Sequence, residues 1–585
     1  MSVEKLIVDH METWTSALQT RSTAGRGSSG KIDLYGIKKL RELILELAVR
    51  GKLVPQDPHD EPASELLKRN EERKKELARN NGMKTTASTN IHGNEYYIDT
   101  PEKWSWIRLG NLAKFIDYRG KTPHKKENGI RLITAKNIRK GYIDLNPEEF
   151  ISEEDYISWM TRGFPKCGDI LFTTEAPLGN AAIIDLDGKF ALAQRSICFQ
   201  WHTPEISPFM LIQILAIPFQ SQLSDKSTGM TATGIKASKL KEIPVILPPY
   251  QEQIRIVSKV QEFMSLCDQL EQQSLTSLDA HQQLVETLLE TLTDSQNAEE
   301  LAENWARISE HFDTLFTTEA SVDALKQTIL QLAVMGKLVP QDPNDEPASE
   351  LLKRIAQEKA QLVKEGKIKK QKPLPPISDE EKPFELPEGW EWCRLGSIYN
   401  FLNGYAFKSE WFTSVGLRLL RNANIAHGVT NWKDVVHIPN DMISDFENYI
   451  LSENDIVISL DRPIINTGLK YAIISKSDLP CLLLQRVAKF KNYANTVSNS
   501  FLTIWLQSYF FINSIDPGRS NGVPHISTKQ LEMTLFPLLP QSEQDRIISK
   551  TDELIQTCNK LKYIIKTAKQ TQLHLADALT DAAIN

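Results

Sequence analysis

The 585 residues exceed what one compact core accommodates, so several domains are expected. Hydrophobic residues at 41% and charged residues at 24% are ordinary for a globular chain, and no apolar run of about 18 residues is present to span a membrane. A net charge of -7 excludes a polycation wrapped on nucleic acid, while six widely separated cysteines without a C-x-x-C pair argue against zinc sites and disulfide frameworks and fit a reducing, cytoplasmic setting.

The opening "MSVEKLIVDHMETWTSAL" is amphipathic and acidic, unlike an export signal. The next helix ends in "AVRGK", where Gly51 can take the left-handed capping position. "PQDP" is a rigid turn, since proline fixes φ and keeps the preceding residue out of the α region. Asp60 is placed to cap the helix "ASELLKRNEERKKELAR", with Pro62 in its first turn, and the polar linker "NNGMKTTASTN" follows. The texture then changes to short apolar alternations, "GIRLITAKNI", "GDILFTT" and "AAIIDL", which read as the strands of a mixed α/β domain. That domain ends in a proline-marked strand and runs into a long helix with apolar residues at Val257, Val260, Met264, Cys267, Leu278, Val285, Leu288 and Leu292, a narrow coiled-coil seam.

The same order then repeats. Residues 51 to 69 and 336 to 354 are identical at 18 of 19 positions, differing only at His59 and Asn344. "WSWIRLG" from Trp104 matches "WEWCRLG" from Trp390, "GIRLITAKNI" from Gly129 matches "GLRLLRNANI" from Gly416, and "LPPYQEQIRIVSK" from Leu247 matches "LLPQSEQDRIISK" from Leu538. The offset stays between 285 and 291, so the chain is two copies of one unit of roughly 290 residues. The second copy brings its own cap at Gly336, turn, Asp345, linker "KIKKQKPLPP", α/β domain and closing helix, with a seam at Leu554, Cys558, Leu561, Ile565, Ala568, Leu575 and Leu579. The two long helices are expected to pack on each other. The domain plan is an N-terminal helical region over 1–94, an α/β domain over 95–250, a central helical spacer over 251–380, a second α/β domain over 381–540 and a closing helix over 541–585.

"LAVRGKLVPQDPHDEPASELLKR" with its second copy, "TGMTATGIKASKLKEIPVILPPYQEQIRIVSKV" and "GVPHISTKQLEMTLFPLLPQSEQDRII" carry a resemblance over nearly the whole chain. It closely resembles the specificity subunit of type I restriction-modification systems, particularly the longer type IB members. The resemblance implies that each α/β unit is a DNA target-recognition domain, that the long helices form a spacer, and that the subunit itself is not an enzyme. It further implies binding to two adenine methyltransferase subunits and, through them, two ATP-using restriction subunits. AdoMet, ATP and magnesium then belong to those partners, and this chain holds no catalytic residue, cofactor or metal.

The local chemistry agrees. Residues 114 to 140 carry nine Lys or Arg against two acidic residues, among them Arg119 and Lys121, and residues 401 to 433 carry four against one, among them Lys408. Such patches suit phosphates, as does the exposed-looking Lys236. Positions shared by both copies, Gly129/Gly416, Arg131/Arg418 and Asn137/Asn424, suggest fold or backbone roles. Positions that differ suggest base readout: Lys136, Arg139 and Lys140 stand opposite Ala423, Ala426 and His427, and Thr134 and Ala135 opposite Arg421 and Asn422. Gln194-Arg195 and Gln485-Arg486 are candidates for backbone contact. A helix from Gln251 to Leu292 is about 63 Å long at 1.5 Å per residue, against about 34 to 36 Å for one turn of B-DNA. Strong divergence of the loops predicts two unlike half-sites. The near-invariant turn, Gly51, Pro55, Asp57 and Pro58 with Gly336, Pro340, Asp342 and Pro343, is expected to dock one methyltransferase per copy.

Two motifs point elsewhere and fail. "GRGSSGKI", from Gly25, approaches a phosphate loop, but Ile32 replaces the hydroxyl that would ligate magnesium. "LPPY", from Leu247, approaches the amine-binding loop of adenine methyltransferases, but Leu247 offers no acceptor. A coiled-coil adaptor that binds no DNA is the remaining alternative.

Overall fold

The computed structural model describes residues 3–21, 31–80, 91–118, 123–228, 233–368, 372–465, 468–515 and 525–585. Residues 25–30 of the phosphate-loop-like stretch lie outside this set, as do parts of both linkers. The chain forms two compact units: one is built from the described residues up to Thr276 together with Lys569–Asn585, the other from Ser277–Ala568.

In the first unit, Ser105–Arg108 pairs antiparallel with Pro244–Leu247, so the first and last strands of the α/β domain clasp each other, with Ile107 opposite Val245. Between them lies a four-stranded antiparallel sheet in the order Ala113–Asp117, Ser196–Trp201, Ile170–Thr173, Ala181–Ile183. A second sheet runs Phe150–Ile151, Ile130–Ile133, Phe190–Leu192, its last pair parallel with Arg131 opposite Phe190. The central strand "ILFT" is buried at every position, as its unbroken apolar sequence requires. Leu132, Ile133, Ile151, Leu171, Ala191 and Leu192 join in one core.

The second unit repeats this plan. Glu391–Arg394 pairs with Leu535–Leu538, a five-stranded sheet contains Tyr399–Asn403, Val487–Asn492, Ile456–Ser459, Tyr471–Ile473 and His427–Gly428, and a smaller sheet pairs Leu417–Leu420 in parallel with Cys481–Leu483. The fold is thus mixed α/β with an internal repeat. The strand that closes each domain leads at once into a long helix, Tyr250–Asp294 of 45 residues and Gln541–Ile584 of 44.

These helices bear out part of the expected seam: Val260, Cys267, Val285 and Leu292 are buried in the first and Cys558 in the second. The first half of the first helix also buries Ile256, Phe263 and Leu270, which with Val260 and Cys267 run in steps of four and three, while Val257 and Met264 are only half-buried. In the second, Ala568 is exposed and Leu575 is 46% exposed. The coiled-coil spacing holds, and the other helices packed on it widen the buried face. In the second unit Val285, Leu289 and Leu292 share a core with Ile308, Leu325, Ile329 and Cys558, so the long helices meet there in the company of Ala298–Glu310 and Glu319–Val334. No single helix among the described residues is long and apolar enough to cross a membrane.

Candidate DNA interface

The proline turn comes first, because it fixes where each domain starts. Gly51 and Gly336 have φ of +67° and +69°, and the following N–H groups, of Lys52 and Lys337, reach back to Leu47 and Leu332 at 3.0 and 2.9 Å. These are Schellman ends of helices Tyr35–Val49 and Glu319–Val334. A Cβ on either glycine would stand 2.5 or 2.4 Å from a ring carbon of Pro101 or Pro387. Asp60 and Asp345 do not cap the next helix as expected. Pro347 is the N-cap residue of its helix and is extended, and both carboxylates instead bind an arginine of the long helix, Arg255 and Arg546, at 2.5 Å. That arginine holds each aspartate below its ordinary pKa.

The "EQ" before it is equally committed. Glu252 accepts from Trp104 Nε1 at 3.0 Å, and Glu543 from Trp390 Nε1 at 2.8 Å; burial pushes both carboxyls up. Gln253 donates to Pro248 O and Gln544 to Leu539 O, fastening the helix start to the strand end. The turn's identity in both copies therefore has an intramolecular cause over much of its length. Pro55, Asp57, Pro58, Pro340, Asp342 and Pro343 remain exposed, and Asp57 and Asp342 accept from the backbone N–H two residues on.

The basic patch of the first domain contains a hairpin over 134–147, matched in the second domain over 421–434. Asn137 Oδ1 accepts from Thr134 N at 2.9 Å and its Nδ2 donates to Asp144 O and Pro147 O at 2.9 and 3.1 Å. Asn424 does the same with Arg421 N, Asn431 O and Asp434 O at 3.2, 3.0 and 2.8 Å. Both asparagines are 1% exposed. Their amides are consumed by the loop, which removes Asn137 and Asn424 from the residues able to face a base. Arg421 is likewise tied to Asp434, at 2.9 Å, and Asn422 gives its carbonyl to Lys470. Arg131 pairs with Glu148 across 3.0 Å, and Arg418 bonds Ser477 O and Leu479 O.

What the hairpins leave outward differs between copies. Lys136, Lys140 and Tyr142 are exposed in the first, with Arg139 half-buried against Asp144 at 3.3 Å; Ala423 and Val429 are exposed in the second, with Ala426 and His427 half-buried. Tyr142 and Val429, 60% and 59% exposed, occupy matching tips and were not singled out by sequence; aligning the copies pairs them, but exposure is not written in either. Thr134 is half-buried in its own turn and Ala135 is buried.

Each hairpin adjoins a corner of three chain segments. In the first domain Asn180 Nδ2 donates to Ile138 O at 2.9 Å and Gly141 N to Ala181 O at 2.8 Å, binding the hairpin to the 174–180 turn. Thr174 N then donates to Arg195 O at 2.9 Å, and Ile235 N to Thr174 O at 3.0 Å. In the second, His427 Nδ1 meets Leu469 O at 2.9 Å, Leu460 N donates to Arg486 O and Ile526 N to Leu460 O, both at 2.8 Å. The structure thus gathers Lys136, Arg139, Lys140, Arg195 and the exposed Lys236 on connected segments, with the half-buried Gln194 beside Arg195. Gln485 and Arg486 are exposed at the second corner, where Gln485 N donates to Tyr405 O at 2.9 Å, and Lys408 lies three residues further on with its Nζ over the Trp411 ring. Arg119 and Lys121 lie outside the described residues. Among the described residues no cluster of His, Cys, Asp and Glu is placed to hold a metal ion.

A family model for the type I restriction modification DNA specificity domain matches residues 101–280 and 387–569, which are the two α/β domains with the start of their long helices. The chain belongs to this family. It is a specificity subunit with two DNA-specificity domains, and such subunits recognise DNA rather than catalyse. It is 73% identical over 594 residues to the type I restriction enzyme EcoAI specificity subunit of Escherichia coli and 44% identical over 607 residues to the EcoEI specificity subunit of the same species, covering 100% of both chains in each case. The crystal structure of the HsdS subunit from Thermoanaerobacter tengcongensis aligns with 83% of this chain and 97% of its own, at 18% identity and a TM-score of 0.38. As a specificity subunit the protein works with DNA and with the other subunits of a restriction-modification system.

Proposed function

We propose that each α/β domain reads one half of a bipartite DNA target through its hairpin and corner, in the major groove, and that the long helices set the unread gap. The observation that carries this is the hairpin pair: the same asparagine-centred backbone bonds, with different outward side chains. A fixed scaffold that varies only at its surface is what two domains reading unlike sequences require, because base edges are told apart by side chains and not by backbone. Lys136, Arg139, Lys140 and Tyr142 form the reading set of the first domain, and Ala423, Ala426, His427 and Val429 stand in their place in the second. Lys236, Lys408, Gln194 and Gln485 flank them as phosphate or backbone contacts.

Partner subunits complete the activity. Two methyltransferase subunits dock on the exposed prolines and aspartates of the two turns, two restriction subunits join through them, and AdoMet, ATP and magnesium are bound by those partners, all in the cytoplasm. Mapping methylated sites in cells that carry the chain with its partner genes tests the reading directly: two unlike half-sites around a fixed gap are expected, and a palindrome overturns it. Inserting seven residues at the exposed stretch 271–280 of the first long helix is expected to change the gap; an unchanged gap rejects the helix as its measure. Replacing "DEPASELL" in one copy is expected to leave one methyltransferase bound; retention of two rejects the docking assignment.

A further inference from the structure

The corner beside each hairpin holds two residues in the left-handed region that are not glycine, four in all. Arg195 and Arg486 have φ of 68° and 72°, and Ala176 and Arg462 both have 45°. An L side chain enters this region only at a steric cost, and such residues persist where surrounding bonds over-determine them. The two arginines are held by the same bonds in both copies: the arginine carbonyl accepts from Thr174 or Leu460, whose own carbonyl accepts from Ile235 or Ile526. Neither domain relieves the strain with glycine at any of the four positions.

What the strain aims is an arginine. Arg486 Nη1 meets Asp461 Oδ2 at 2.5 Å; the carboxylate side chain is 12% exposed and the arginine 63%. Arg195 Nη2 lies 3.7 Å from Glu175 Oε1, with 33% and 59% exposure. In each copy an acid in an acid-x-Pro turn, "TEAP" or "LDRP", anchors one side of a guanidinium whose remaining donors face outward. The hairpin beside it differs between the domains, whereas this pair keeps its charges and its place on the backbone, closer in the second copy than in the first.

We propose that Arg195 and Arg486 are matched contacts to DNA phosphate, oriented by Glu175 and Asp461 acting as positioning residues. A group retained by two domains with unlike reading surfaces serves the part of DNA that does not change with sequence, which is the phosphodiester. The proposal rests on the hairpin-and-corner reading above.

The test uses the full chain assembled with its methyltransferase subunits, with binding to a target duplex and an unrelated duplex followed against salt. Arg195→Gln and Arg486→Gln are each expected to lower the slope of log K against log salt by about 1, and the double variant by about 2, with equal loss on both duplexes. Arg195→Lys and Arg486→Lys keep the slope. Asp461→Ala weakens binding when Arg486 is present and adds nothing once Arg486 is glutamine. Unchanged slopes in the glutamine variants, or loss confined to the target duplex, overturn the proposal. Loss of binding together with a lowered melting temperature also overturns it, since that marks a structural pair. If the unsubstituted complex binds neither duplex, it is the function above that fails.

Discussion

The junction and the hairpin solve opposite problems in one molecule. At the junction the two copies keep the same side chains in the same bonds: Trp104 with Glu252 and Trp390 with Glu543, Asp60 with Arg255 and Asp345 with Arg546. At the hairpin they keep the same backbone bonds around one asparagine while nearly everything outward changes. Where a side chain closes a bond within the chain, replacing it leaves a buried partner unsatisfied, so both copies retain it. Where one buried amide fastens the loop, most of the outward side chains around it are released from structural duty.

Four measurements would break or sharpen this contrast. Trp390→Ala removes a 6% exposed indole from the core and strips Glu543 of a donor, so unfolding of the second unit is expected to lose about 3 to 5 kcal/mol, and Trp104→Ala should cost the first unit a similar amount. A small loss would mean that the junction is ornament. Asn424→Ala removes three hydrogen bonds made by a 1% exposed amide, and denaturant titration should show about 1 to 3 kcal/mol lost, more than any outward hairpin residue costs.

The third measurement concerns acid. The pKa of Asp345 is lowered from 3.8 in the fold, chiefly by its hydrogen bond from Arg546, so its contribution is present at higher pH and is lost as pH falls through the lowered value. Asp345→Asn should flatten the stability profile below about pH 4 and cost about 1 kcal/mol or less at neutral pH, because the arginine is 36% exposed. A steep acid limb in the variant would place the sensitivity elsewhere. The smallest effect is expected for Lys136→Ala with Lys140→Ala: stability should stay within about 0.5 kcal/mol while affinity for DNA falls. A large stability change would give the hairpin side chains the structural role that the contrast denies them.

The repeat, the α/β domains, the strand-to-helix junctions and the left-handed caps at Gly51 and Gly336 were all legible in sequence, because each rests on local pattern or on the chain matching itself. What escaped depended on the surrounding fold. Asp60 stands where a helix cap belongs, and only the fold brings it Arg255, 195 residues on. Asn137 sits in a basic run with the amide that reads adenine, and the same amide equally fastens a loop; burial decides between them, and burial is not local. The strained corner is invisible because arginine and alanine give no sign of a left-handed backbone, although "TEAP" and "LDRP" at matching positions were there to be aligned. The helical seam was right in period and right at Val260, Cys267, Val285, Leu292 and Cys558, but its full width was not legible, since that depends on which helices cover it.

Tyr35 donates to Asp577 at 2.7 Å across 542 positions of sequence, and Lys39 pairs with the same carboxylate at 3.0 Å. Both contacts lie within a unit that draws on residues before Thr276 and again on Lys569–Asn585, whereas the other unit is continuous from Ser277 to Ala568. On the ribosome these units cannot mature in the order of their sequences. The unit begun first must wait for a helix end translated after the whole of the other, exposing part of its interior meanwhile, and contacts of such long range close slowly. The unit translated second is free to finish folding first.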